Sequence, residues 1–250
     1  MEEEINSKSK NLWEKAIIAV LVIGLSFATF NQFQISSIGT GKEIPTGMST
    51  VQAAVIPTGI PKIYGSELNI KYDDVSVNDA AKADQTIKLL GNLDNTITLE
   101  GSNLDRYVEI ASQMSCEYCC GAKSIIFTKE DITSLESKIQ EAIAAGKLTE
   151  DQAKTYRRKA GEAACGCAHS FAMRGIAKYL IKNHGSEFTN EEILNEMAKW
   201  KTLFFPTQMT AKAEALKSQG IEFSYSNLGS NKYRGIESGS SSNGGMVGGC

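Results

Sequence analysis

Two short cysteine motifs contain most of the residues in this chain that could do chemistry. The first reads CEYCCG and begins at Cys116, and the second reads CGCAH and begins at Cys165. A C-x-x-C motif places two thiolates within reach of one ion, and a C-x-C motif followed by histidine offers three further donors. The candidate metal ligands are Cys116, Cys119, Cys120, Cys165, Cys167 and His169.

These donors outnumber the four positions around a tetrahedral zinc ion. A single ion would be held by the thiolates of Cys116, Cys119, Cys165 and Cys167. In that arrangement Cys120 is spare, and His169 is either spare or replaces one thiolate. Sulfur ligands also suit copper and iron–sulfur clusters. We therefore expect zinc as the cofactor, with an Fe–S cluster or copper as alternatives.

Disulfide bonds are a second interpretation of the same cysteines. Thiols of exported proteins commonly oxidise, and the bonds would then staple a structural or assembly subunit. A bond between the adjacent Cys119 and Cys120 would be strained, and a bond between Cys165 and Cys167 would close a very small ring. Bonds between the two motifs remain open.

A third interpretation comes from the residues Cys-Glu-Tyr-Cys. They resemble the active-site motif of thioredoxin-like oxidoreductases, whose first cysteine is a low-pKa nucleophile at a helix N-terminus. Cys116 and Cys119 match the two cysteine positions, so the resemblance implies thiol–disulfide exchange. It covers four residues, and Cys116 follows a predicted helix where the family has a strand. We expect a metal-binding protein rather than an enzyme, and keep the oxidoreductase as the alternative.

Helices must bring the two motifs together. Capping boxes at Thr128, Thr149 and Thr189 predict helix starts, and a similar pattern begins at Ser102. The predicted helices cover 80–90, 103–114, 129–145, 150–164, 167–183, 190–204 and 207–219, and short predicted strands cover 67–75, 96–100 and 221–225. The expected fold class is therefore α+β and mainly helical.

The long stretch between Cys120 and Cys165 raises the question of whether the motifs can meet. Its two predicted helices are similar in length and are joined by a short turn containing Gly146, which favours an antiparallel pair. Such a helical hairpin returns the chain to its origin. Residues near Phe127 and Ala164 should then be neighbours, and both motifs should contribute to one pocket.

The composition excludes some classes of protein. The chain has 250 residues, with 26 Lys and Arg against 29 Asp and Glu, and its net charge is -3. We expect no nucleic-acid partner, because phosphate contacts need a basic surface. Hydrophobic residues make up 42%, which is enough for a packed core.

The amino-terminal part predicts a membrane anchor. An uncharged stretch runs from Ala16 to Phe30 and follows Lys8, Lys10 and Lys15, a distribution that keeps the amino terminus inside the cell. A signal peptide cut after Ala28 is the alternative. The predicted location is the cell membrane, with a single span and the main domain outside the cytoplasm. A protein partner or a homo-oligomer is left open.

The predicted organisation follows from these features. Its parts are a cytoplasmic terminus over 1–15, a membrane anchor over 16–35, a linker or strap over 36–64, an exported Cys/His metal-binding domain over 65–236, and a flexible Gly/Ser tail over 237–250 that contains Cys250. Glycine spacing would let the Cys250 thiol swing towards the motifs or to another subunit. His184 is predicted to cap a helix end, and Met173 to pack in the core.

Overall fold

Helices form nearly all the regular structure of the part of the chain that the computed structural model describes, residues 50–238 and 245–248. We number the α-helices α1 Thr50–Val55, α2 Tyr64–Glu67, α3 Ala80–Thr96, α4 Gly101–Ala111, α5 Lys129–Ala144, α6 Glu150–Tyr156, α7 Ala168–His184, α8 Asn190–Phe204, α9 Pro206–Ser218 and α10 Tyr225–Gly229. Two 3-10 helices cover Tyr72–Asp74 and Asn231–Tyr233. The mainly helical prediction is confirmed.

The three predicted strands are not present, and within the described residues the only β pairing consists of isolated bridges. Residues 67–75 contain the end of α2 and a 3-10 helix, 96–100 connect α3 to α4, and 221–225 lead into α10. Each segment alternates polar and apolar residues over a short window, which is too short to distinguish a strand from a connection that buries one or two side chains.

Reciprocal caps start three of the helices as predicted. The side chains of Thr128, Thr149 and Thr189 each accept a hydrogen bond from the third helical residue, whose own side chain bonds back to the threonine N–H. The prediction at Ser102 is wrong, because α4 begins at Gly101 and its cap, Glu100, makes no side-chain cap bond.

The core forms where α3 and α7 cross. Gly175 on α7 permits the closest approach, since a Cβ atom there would lie 1.9 Å from the Leu90 carbonyl oxygen of α3. Helix α8 packs on the other side of α7 and contributes Trp200 and Phe204, which are fully buried with the adjacent Phe205. The predicted core position of Met173 is confirmed.

Residues 50–64, predicted as a linker or strap, include α1 and contribute buried side chains. Val55 and Tyr64 are buried, and the Tyr64 and Tyr72 hydroxyls donate hydrogen bonds of 2.6 and 2.5 Å to the Glu196 carboxylate of α8. The indole N–H of Trp200 donates to the Tyr64 hydroxyl at 2.9 Å. This segment is therefore attached to the helical core by a buried polar network.

The predicted cytoplasmic terminus, membrane anchor and first part of the strap lie outside the described residues. Within the described ranges, none of the helices has the length and apolar character needed to cross a bilayer.

Part of the predicted flexible tail is packed. Val247 is buried, its N–H donates to the Phe204 carbonyl at 2.9 Å, and the next residue, Gly248, has a φ of 80°. The buried Val247 side chain and this backbone bond hold the segment against the domain. Cys250 lies outside the described residues.

Candidate metal centre

The two cysteine motifs meet at the base of the α5–α6 hairpin. The Phe127 N–H donates to the Glu162 carbonyl at 2.8 Å, and the Ala164 N–H donates to the Ile125 carbonyl at 3.1 Å. These bonds continue an antiparallel bridge between Ile126 and Ala163. The prediction that residues near Phe127 and Ala164 are neighbours is confirmed.

Helix α6 is shorter than predicted and ends at Tyr156 rather than near residue 164. The chain beyond it makes a turn, closed by a 3.1 Å bond from the Glu162 N–H to the Lys159 carbonyl, and its backbone groups pair with residues 125–127. Gly161 lies in this turn with a φ of 89°, a conformation that glycine adopts without strain. The pairing brings Cys165 next to the first motif.

Sulfur atoms from both motifs form two groups of three, and each group could hold a metal ion. In one group the Sγ atoms of Cys116, Cys119 and Cys167 all lie within 4.8 Å of one another, and in the other the same holds for Cys116, Cys120 and Cys165. Tetrahedral zinc with bonds of about 2.3 Å separates its sulfur ligands by about 3.8 Å. Small side-chain movements would therefore complete the set of Cys116, Cys119 and Cys167, and the prediction that both motifs contribute to one site is confirmed.

A disulfide bond joins Cys120 to Cys165, with their Cα atoms 6.7 Å apart. In this state neither sulfur is a thiolate that can bind an ion. The four-thiolate set that includes Cys165 is therefore not assembled here, and among the described residues the cysteines outside the disulfide are Cys116, Cys119 and Cys167. The motif spacing left the pairing open, and the fold brings together one cysteine from each motif.

The thiol of Cys167 occupies the N-cap of α7 and accepts a hydrogen bond from the Ser170 N–H at 3.3 Å. The Cys116 Sγ lies 3.3 Å from the Cys167 Sγ. A hydrogen bond from the Cys116 thiol, with others from His169 and Ser170, outweighs burial and lowers the pKa of Cys167 to about 3. The same hydrogen bond to Cys167, together with burial, raises the pKa of Cys116 far above its usual value. Cys167 is thus the thiolate of the pair.

The resemblance to thioredoxin-like oxidoreductases predicts a different role for Cys116. It made Cys116 the low-pKa nucleophile at a helix N-terminus, whereas Cys116 is a buried thiol with a raised pKa that follows α4. The helix N-terminus belongs to Cys167. The helix dipole and exposed N–H groups at such an end favour a thiolate, which explains the difference.

His169 lies beside the sulfur atoms but belongs to neither group of three. Its ring is buried, with Nε2 2.8 Å from the Val247 carbonyl oxygen and with the Phe204 and Phe205 rings centred 4.9 and 5.0 Å away. Its hydrogen bond to Cys167 contributes to the low pKa of that thiol. His169 therefore neighbours Cys167 without joining either sulfur group.

A buried charge cluster adjoins the first motif and was not predicted from the sequence. The Glu117 Oε1 atom accepts hydrogen bonds of 3.0 Å from the ammonium groups of both Lys201 and Lys212, whose side chains are fully buried. Burial lowers the pKa of Lys201 to about 8, although Glu117 and Cys116 act to raise it. Two ammonium groups share one carboxylate, so with all three groups ionised the cluster carries one excess positive charge beside the sulfur atoms. The only sequence signal was the acidic residue inside the motif.

Arg174 of α7 ties the two half-sites together, and it too was not predicted. Its Nη1 donates to the Cys165 carbonyl at 3.0 Å and to the Ile125 carbonyl at 3.2 Å, while its Nε pairs with the Asp94 carboxylate at 2.8 Å. The guanidinium is 1% exposed. This planar donor fixes the backbone on both sides of the hairpin base.

The prediction that His184 caps a helix end is wrong, because its ring is not bonded to helix-end carbonyls. Its ring nitrogens lie 2.8 Å from the Glu187 and Glu67 carboxylates, which joins the end of α7 to α2 at a distance from the cysteines. His184 therefore serves the packing of the amino-terminal strap.

Comparison with known proteins finds no matching family model, no matching curated protein and no matching solved structure.

Proposed function

We propose that this protein binds a zinc ion through the thiolates of Cys116, Cys119 and Cys167. The observation that carries the proposal is the convergence of these three sulfur atoms, from two distant motifs, to within 4.8 Å of one another. Sulfur donors favour zinc and copper(I) over hard cations. Three protein ligands leave a fourth position for water or another ligand, as in zinc sites that are open to exchange.

The charge of the surroundings suits an anionic metal–thiolate complex. A zinc ion with three thiolates carries one negative charge. Lys201 and Lys212 share the Glu117 carboxylate, and Arg174 and Lys178 share the Asp94 carboxylate, so excess positive charge lies near the sulfur atoms. Because uncompensated buried charge is costly, these cations stabilise the thiolates and their complex with the ion.

Metal analysis with matched variants tests this proposal. Protein with its disulfide intact, loaded with Zn²⁺ and passed through a desalting column, should retain one zinc per chain. Cys119→Ser and Cys167→Ser should each lose most of it. Cys250→Ser, which removes a thiol outside the proposed set, serves as the control and should retain zinc. Retention by Cys167→Ser, or no zinc in the parent protein, would refute the proposal.

The second candidate function is thiol–disulfide exchange, but through Cys116 and Cys167 rather than Cys116 and Cys119. Their sulfur atoms lie 3.3 Å apart, and the lowered pKa of Cys167 keeps its sulfur in the thiolate form that attacks disulfides. The Cys167 thiolate would attack a substrate disulfide and release one thiol. The Cys116 sulfur would then displace the second, leaving a Cys116–Cys167 bond. A metal-free protein that reduces a glutathione-type disulfide, with loss of two thiols per turnover, would favour this function.

Membrane anchoring on the outer side of the cytoplasmic membrane is part of the proposal. Its support is the positively flanked apolar stretch at Ala16–Phe30. Fractionation of cells that express the whole chain checks it: the protein should stay with membranes after alkaline washing, and protease added to spheroplasts should remove the domain. Assembly with a protein partner or with a second copy stays a prediction.

A further inference from the structure

Cys116 is the one sulfur that belongs to both groups of three. It lies with Cys119 and Cys167 on one side and with Cys120 and Cys165 on the other. We call the group with Cys119 and Cys167 the first face and the group with Cys120 and Cys165 the second face. The two faces share the Cys116 Sγ atom. In the disulfide form only the first face consists of thiols, because Cys120 and Cys165 are bonded to each other.

We propose that reduction of the Cys120–Cys165 disulfide opens a second zinc position and that the Cys116 thiolate bridges the two ions. This inference rests on the proposed zinc function of the first face. The reduction is a two-electron exchange with a dithiol: the reductant forms its own disulfide, and its two protons and two electrons leave Cys120 and Cys165 as thiols. Each zinc would then have three sulfur ligands, with one further position for water.

The disulfide is accessible to a reductant in the folded protein. Cys120 is exposed, whereas Cys165 is 4% exposed and Cys116 is fully buried. A thiolate reductant can therefore approach the bond at the Cys120 sulfur, with Cys165 as the leaving group. The shared Cys116 meanwhile stays out of contact with solvent.

Cys116 is also held firmly enough to act as a bridge. Its N–H donates to the Ala122 carbonyl at 3.1 Å, and its carbonyl accepts from the Gly121 N–H at 3.0 Å. These bonds close a tight turn that carries the whole first motif. Because the backbone of the shared ligand is fixed on both sides, occupation of one face does not require it to leave the other.

The buried charges fit both states equally well. Two zinc ions with five thiolates carry one negative charge, as does one zinc ion with three thiolates. The excess positive charge of Lys201, Lys212 and Glu117 therefore faces the same net charge in either complex. Reduction followed by uptake of the second ion thus changes the capacity of the site without changing the net charge of the metal complex.

Zinc stoichiometry in the two redox states tests the inference. Under anaerobic conditions, protein with the disulfide intact should bind one zinc per chain. Protein reduced with a phosphine, desalted and then loaded should bind two. The double variant Cys120→Ser/Cys165→Ser has the first face alone, so it should bind one zinc after either treatment.

The possible results separate this inference from the proposed function. No zinc in any form of the protein would refute the proposed function itself. One zinc in both forms of the parent protein would refute only the second position. A reduced protein that loses its helical circular dichroism and does not regain it on zinc addition would also overturn the second position.

X-ray absorption of the two-zinc protein tests the bridge. Two ions bonded to one sulfur at about 2.3 Å cannot be more than about 4.6 Å apart. We expect zinc–zinc scattering within that distance in the reduced parent protein and none in the double variant. Two bound ions without this signal would show separate sites and would overturn the role of Cys116.

Discussion

Glu117, Lys201 and Lys212 show how much of the candidate site depends on residues outside the cysteine motifs. The two lysines come from α8 and α9, more than 80 positions after Glu117, and all three side chains are at most 6% exposed. No local pattern could indicate that these helices point ammonium groups at the first motif. The cysteines themselves could be predicted as candidates because their spacing is local, whereas their partners depend on the packing of the whole domain.

Removal of Glu117 should cost more stability than removal of either lysine. Glu117→Gln leaves two buried ammonium groups without a counter-charge, and breaking a buried pair in this way costs about 3–5 kcal/mol. Lys201→Met leaves the neutral pair of Lys212 and Glu117, so we expect a smaller loss. Urea unfolding of the metal-free protein at pH 7 measures both. Equal losses would show that the carboxylate does not hold the two cations.

His184 predicts a pH dependence of stability. Burial lowers its pKa, but hydrogen bonds to the Glu187 and Glu67 carboxylates outweigh burial and raise it above the usual value. The protonated ring is thus favoured by folding. Its stabilisation is complete below the unfolded pKa of about 6.5 and is lost as the pH rises through the higher folded pKa.

The comparison of parent protein with His184→Gln isolates this contribution. The difference in their unfolding free energies should be largest near pH 5.5 and should shrink by pH 8. Taking the difference removes the contributions of other titrating groups, including Cys167 and Lys201. A difference that stays constant over this range would mean that folding does not change the pKa of His184.

At the scale of elements, helix starts were predictable and helix ends were less so. The three capping boxes fix the starts of α5, α6 and α8, because both halves of each box lie within four consecutive residues. The end of α6 depends on residues about 35 positions earlier, since the segment around Glu162 pairs with Phe127. A sequence window cannot contain that information. The predicted cap at Ser102 is wrong because α4 already begins one residue earlier, at Gly101, which has a φ of 54°.

Loss of the α6 cap should destabilise only that helix, whereas loss of the α8 cap should destabilise the whole domain. Loss of a threonine cap costs about 0.5–2 kcal/mol. Helix α8 contributes Trp200 and Phe204 to the main core, so Thr189→Ala should lower the free energy of global unfolding by about 1 kcal/mol. Helix α6 buries only Ala153, so Thr149→Ala should act mainly on local opening.

Hydrogen exchange and urea unfolding together measure this contrast. In Thr149→Ala we expect faster exchange of the α6 amides, with little change in the global transition. In Thr189→Ala the global midpoint should fall. The same loss of global stability in both variants would show that α6 belongs to the cooperative core.

At the scale of the whole molecule, the α5–α6 hairpin extends from a base that already holds the site. Ile139 and Ala153 are the buried residues of the two helices, and neither belongs to the main apolar core. The base is closed independently of them, because the Gly161 N–H donates to the Phe127 carbonyl at 2.9 Å. The sequence suggested that these helices bring the motifs together, but the bonds that hold the motifs in place lie in the base and in Arg174 of α7.

Replacement of the hairpin should therefore preserve the metal centre. We expect a variant in which a short Asn-Gly turn replaces residues 128–160 to fold and to bind zinc with the parent stoichiometry, since a tight turn can join the paired residues Phe127 and Gly161. Closing the shorter loop also costs less chain entropy. Zinc analysis and thermal unfolding by circular dichroism measure the outcome. A matched deletion that also removes 125–127 and 161–163 eliminates the base pairing and should lose zinc. If the first variant folded but bound no zinc, the two helices, and not their base, would be what positions the ligands.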